Sequence, residues 1–276
     1  MLSLLLNGIR NGNLDFGSVI AEILAVLVII FLILPFHEWA HAFTASLLGD
    51  KAVKGRGRLS INPLSHIDPM GALCMLLFGF GWAKPVPIDP RNFKNPKVGM
   101  AITAIMGPIA NIVAAFVGLL IYYPIILFTG AFPLSTIGGY VVQFLSFYIS
   151  CNVGLAVFNL IPIPPLDGSK VLFVFLPDKA VEFFYRYQMY FFIGLFVLLY
   201  VGVLNTPINW LSNQILDFIS WLASLPYMPF VGWFQNYSQH QIITETYLWK
   251  HNNFNISCRH LKALLTFCWR WFLKTK

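Results

Sequence analysis

Residues 18–36 form a run of nineteen that is apolar but for Ser18 and Glu22, and it passes unbroken into His37-Glu38-Trp39-Ala40-His41. A helix that is apolar on every face belongs either in the core of a large protein or in a bilayer. Composition decides between the two: of 276 residues 58% are hydrophobic and only 11% charged, where a soluble domain carries roughly a quarter charged residues. The helical pattern continues to Leu48, and a helix of roughly 30 residues measures ~45 Å against a hydrocarbon core of ~30 Å. The two His therefore sit within or at the inner boundary of a bilayer. The chain length suits one bundle of about four to six helices at ~20 apolar residues per span.

The placement of charge gives the orientation. Of the 18 Lys and Arg behind the net +7, eight lie between Lys51 and Lys97 and six between Lys250 and Lys276. Basic residues clustered beside spans mark cytoplasmic segments, which puts Lys51 inside and the N-terminus outside. The charges punctuate apolar spans and form no basic, aromatic-rich soluble module, so nucleic acid is not an expected partner. Cys74, Cys151, Cys258 and Cys268 make no C-x-x-C pair, which supports neither a disulfide framework nor a thiolate zinc site. The opening MLSLLLNGIR is too short for a signal peptide and suits an amphipathic turn.

Along the chain, Ala72–Trp82 is an apolar piece about half a span long with basic residues on both sides. A segment that short, with the same side marked at each end, is expected to re-enter instead of crossing. Met100–Tyr123 and Ile137–Leu160 are expected as the second and third spans, with a turn near Pro133 between them. Phe183–Leu204 is expected as a fourth. Residues 207–225 place Ile208, Leu211, Ile215, Phe218, Leu222 and Leu225 on one face, which suits an interfacial helix or a fifth span. Residues 235–260 are polar, and 261–276 form a short basic amphipathic piece.

The chemistry centres on the His pair. Helix positions i and i+4 share a face, so His37 and His41 reach one metal ion while Glu38 lies beside it. Zinc lowers the pKa of a bound water to about 7, and a glutamate so placed takes its proton, which makes Glu38 the candidate general base. Ionisable groups embedded in apolar sequence are costly in a bilayer and mark function. Two His leave a catalytic zinc one protein ligand short. Asp167, just past Pro162, Pro164 and Pro165, is the favoured third ligand, although Asp in that place also caps helices. His66, Asp68 and Asp89 are rivals that turn chemistry or solvation explains as readily. Asn111 and Asn159 lie in apolar surroundings, where an amide bonds a neighbouring helix or holds a substrate carbonyl.

HEWAH, SINPLSHIDPMG, GWAKPVPIDPRNFKNP, GPIAN and NLIPIPPLDG follow one another in this order. Together they make residues 18–205 resemble the site-2 protease family of intramembrane zinc metalloproteases, most closely the compact bacterial members without a PDZ domain. The resemblance implies zinc ligands at His37, His41 and Asp167, a general base at Glu38, and Asn111 and Asn159 near the active centre. It also implies that residues 59–89 form a membrane re-entrant β segment. The expected protein is thus an all-α polytopic membrane protein of four to six transmembrane helices with that short β segment. Residues 1–230 form the protease domain and 231–276 a polar and basic tail dispensable for the chemistry. It holds one Zn2+ per chain, sits in a bacterial cell membrane with its site toward the cytoplasm, and cleaves transmembrane segments of other proteins. A metal transporter, or a metal-binding membrane protein without protease activity, is the alternative; a transporter predicts several ligand sets along a pore and often internal symmetry, and neither is visible.

Overall fold

The computed structural model describes residues 16–60, 62–78, 81–128 and 135–227. The expected N-terminal turn, the turn at Pro133 and the tail from 231 lie outside these residues. Three helices are long and apolar enough to cross a membrane: α1 (Phe16–Leu48), α5 (Pro96–Phe128) and α6 (Thr136–Asn159). Between α1 and α5 lie the short helices α2 (Ala52–Gly55), α3 (Pro63–His66) and α4 (Pro69–Phe78). After α6 come α7 (Asp167–Leu172), α8 (Asp178–Arg186), α9 (Gln188–Val201) and α10 (Asn205–Ser224).

α1 is not uniform. At Ile29–Ile33 it widens into a π turn, with the Leu34 N–H bonding the Ile29 carbonyl. Pro35 accounts for the change: it lacks an N–H, and its ring crowds the carbonyl four residues back, so the backbone adjusts one turn earlier. The helix resumes over Leu34–Leu48 and carries the His pair.

α5 is the central helix and packs against α1, α6, α7 and α10. Its inner face is made of small residues, Ala104, Gly107, Ala110, Ala114, Ala115 and Gly118, while Ile102, Ile109, Val113, Val117 and Ile121 point outward. Small residues inside and large apolar ones outside is the arrangement a lipid environment favours, because backbones approach closely where no hydrophobic effect drives association. α10 keeps the first half of the expected face, with Ile208 buried and Leu211 and Ile215 packed against the core, and departs from it beyond. Its buried stripe is Ile208, Ser212, Ile219 and Ala223, whereas Phe218 and Leu222 are exposed. Close packing on α5 and α6 takes Ser212 and Ala223 inward beside Ile208 and Ile219.

Two further expectations are revised. The fourth span is not one helix: α8 ends at Arg186, and α9 is 14 residues long, about 21 Å. Segment 59–89 holds no strand among its described residues, only an isolated antiparallel bridge between Ile67 and Ala83. α4 occupies ten residues of it. The return segment reads Lys84-Pro85-Val86-Pro87, and a proline at every second position removes the N–H groups a β ladder needs. Lys84 N–H still bonds the His66 carbonyl at 2.7 Å. The excursion closes on itself: fully buried Asp50, just past α1, accepts from Asp89 N–H at 2.8 Å and from Asn92 Nδ2 at 2.7 Å. The chain thus leaves and rejoins the same end of α1.

Candidate metal centre

Three side chains from two distant parts of the sequence meet inside the bundle. His37 and His41 point from one face of α1, and Asp167 is the first residue of α7. His37 Nε2 and His41 Nε2 are 3.1 Å apart, and Asp167 Oδ2 lies 3.4 Å from the first and 3.1 Å from the second. All three residues are buried. Donors held ~2.0–2.1 Å from a tetrahedral zinc stand about 3.3 Å from one another, so the spacing fits that ion.

The electrostatics fit as well. His41 Nδ1 is 2.8 Å from the Thr103 carbonyl on α5. A carbonyl only accepts, so the proton sits on Nδ1 and Nε2 presents a lone pair. That lone pair faces the acceptor Oδ2 of Asp167, an opposition that a cation relieves.

Local sequence explains the convergence. Pro162, Pro164 and Pro165 prevent α6 from continuing, and Leu166 N–H bonds the Ile163 carbonyl at 3.0 Å to form the turn into α7. The cap position of α7 is Leu166, which makes no side-chain cap. Asp167 therefore does not act as the N-cap; its carboxylate goes to the His pair and to Lys170, whose Nζ is 2.9 Å from Oδ1. Gly168 lets this turn press on the end of α6, since a Cβ there would lie 2.2 Å from the Leu160 carbonyl oxygen.

Glu38 stands on the neighbouring position of α1, half-buried, and its Oε2 accepts the Val86 N–H of the return segment at 3.1 Å. It is not one of the three converging ligands. The rivals are otherwise employed. His66 Nε2 is 2.7 Å from the Ser60 carbonyl, and Asp68 accepts from Gly71 N–H at 2.8 Å. Asp89 accepts from Arg91, whose side-chain and backbone hydrogen bonds hold its carboxyl at about 2. Asn111 lies one turn beyond Gly107 on α5, fully buried, with neither amide atom bonded among the described residues. Asn159, the half-buried last residue of α6, donates Nδ2 to the Leu155 carbonyl at 3.0 Å.

Sequence reasoning did not single out Thr103, Gly107, Lys170 or the Val86 N–H. Gly107 lay in view within GPIAN, and its role is steric. A Cβ at that position would lie 2.4 Å from His41 Nε2 and 2.5 Å from His37 Cε1. Gly107→Ala is expected to lower zinc occupancy and cleavage together by about 10- to 100-fold, the range that supporting residues of metal sites command. Metal analysis beside a cleavage assay checks this. Full occupancy at wild-type rate would show that α1 and α5 part without consequence.

The sequence profile of Peptidase family M50 matches residues 25–201. A relative in Bacillus subtilis (strain 168), named "Putative zinc metalloprotease YwhC", is 35% identical over 208 residues, which cover 73% of this chain and 93% of that protein. "Putative zinc metalloprotease Rip2" of Mycolicibacterium smegmatis is 29% identical over 206 residues, 72% of this chain and 74% of the relative. Rip2 of Mycobacterium tuberculosis (strain H37Rv) is 31% identical over 143 residues, 50% of this chain and 52% of its own length. No solved structure matches the chain.

Proposed function

The chain belongs to Peptidase family M50 and is a zinc-dependent protease of the membrane, and from that premise we propose that it cleaves transmembrane segments of other proteins within the bilayer. The observation that carries this reading is the convergence of Asp167 Oδ2 with His37 Nε2 and His41 Nε2, the two His on a helix long enough to span. These three residues would hold the zinc, which when bound supplies Lewis-acid polarisation of a carbonyl and a water of lowered pKa. Glu38 is the general base: the Val86 N–H engages Oε2 and leaves Oε1 to accept a proton. Asn159 is the amide we assign to the substrate carbonyl or the developing oxyanion, because it is half-exposed at the mouth of the loop to Asp167. Asn111 is enclosed and serves the same centre from behind, through the α5 face that carries Gly107.

A transmembrane helix keeps its backbone hydrogen bonds internal, so it must unwind before a carbonyl can be reached. The basic residues between Lys51 and Lys97 support a cytoplasmic position for the adjoining end of α1 and for the site. Of four to six spans, α1, α5 and α6 form the core, and α10, packed on α5 and α6, completes the bundle. Residues 1–230 make up the protease, and the 231–276 tail is dispensable for the chemistry. A transporter needs a succession of ligand sets; among the described residues the His37–His41–Asp167 group is the one set of three such side chains.

Single-span substrates co-reconstituted in vesicles test the reading through the position of the cut, mapped by mass spectrometry. Scission inside the apolar segment is expected. Scission confined to water-exposed loops would contradict intramembrane cleavage.

A further inference from the structure

Among the described residues, Lys170, one helical turn after Asp167 on α7, is the Lys or Arg paired with a residue of the metal centre. Its Nζ lies 2.9 Å from Asp167 Oδ1, while Oδ2 of the same carboxylate faces the two His. The Lys side chain is 28% exposed and the Asp side chain 10%. The ammonium and the two imidazoles thus take different oxygens of one carboxylate. We propose that Lys170 is a positioning residue that commits Oδ1 to itself, so that Asp167 offers zinc a single oxygen.

The consequence follows from ligand count. A hydrolytic zinc site works with three protein ligands and a position left open for water or substrate. A carboxylate has two oxygens able to ligate, and a free Oδ1 beside Oδ2 would compete for that open position. The charge-assisted bond to Lys170 withholds it. Lys170 also draws electron density from the carboxylate, which makes it a weaker donor and leaves the metal a stronger Lewis acid. The site gives up some zinc affinity for an open, electrophilic centre.

This inference rests on the reading of Asp167 as a ligand, and cobalt substitution separates the two. Co(II)-loaded protein gives intense visible absorption when four-coordinate and weaker bands when more ligands bind. Lys170→Met keeps the length of the stem and removes the charge. The expected result is a clear fall in cobalt band intensity, zinc affinity equal to or tighter than wild type, and kcat lower by about 10- to 100-fold. Lys170→Arg, which keeps the charge and the donor, is expected to retain the wild-type spectrum. An unchanged cobalt spectrum in Lys170→Met would overturn the proposal, as would loss of metal from it. Asp167→Asn, run beside them, reports on the ligand reading alone: a spectrum indifferent to that change would remove the premise, whatever Lys170 does.

Discussion

Glu38→Gln is expected to retain one zinc per chain and to lose cleavage by about 100- to 10,000-fold, the span that general acid–base groups contribute. The two halves of this expectation have separate grounds. Zinc is retained because Glu38 is outside the group of three converging ligand atoms. The carboxamide oxygen can still accept the Val86 N–H that now bonds Oε2, so the return segment keeps its place. Cleavage is lost because an amide does not take up a proton near neutral pH. Parallel metal analysis and cleavage kinetics on the purified variant give the answer, and a wild-type rate would remove Glu38 from the chemistry.

Asp167→Ala is expected to have the largest effect on the metal itself. It leaves two His where a catalytic site needs three protein ligands, and it strips Lys170 of its carboxylate. Zinc affinity should fall by more than the ~10- to 100-fold that outer partners of metal sites are worth, and activity with it. The fold should survive, because Asp167 makes no cap for α7 and the turn before it is held by backbone bonds. A competition titration against a chelator measures the affinity. If it is unchanged, the third ligand lies elsewhere, and His66, Asp68 and Asp89 return as candidates.

The sequence made α1 and its His pair legible because both rest on local periodicity: apolar residues long enough to span, then two imidazoles one turn apart. α5 and α6 were legible for the same reason. Asp167 was reachable by ligand counting and by the proline run that must end α6. Tertiary context governed what was missed. The expected face of α10 holds at Ile208, Leu211 and Ile215 and shifts at its C-terminal end, where Ile219 and Ala223 are buried and Phe218 and Leu222 exposed. The β segment expected at 59–89 was defeated by Pro85 and Pro87, visible in the sequence as residues that cannot join a ladder. The fourth span was broken by a turn at Tyr187, between Arg186 and Gln188. Gly107, the Thr103 carbonyl and the Val86 N–H act through backbone or through the lack of a side chain, and no pattern of side-chain types announces them. Lys170 differs: its i+3 spacing from Asp167 was present in the sequence, and its role emerged only with the direction of each carboxylate oxygen.

The central claim is that one zinc, held by His37, His41 and Asp167, is what makes this membrane protein a protease. Its most direct test is a zinc titration of the chelated, purified protein in the presence of a single-span substrate, with bound metal and cleavage rate measured on the same samples. Cleavage should vanish on chelation and return in proportion to zinc, reaching its plateau at one equivalent per chain. Undiminished cleavage by metal-free protein, or a plateau that requires two equivalents, would contradict the account.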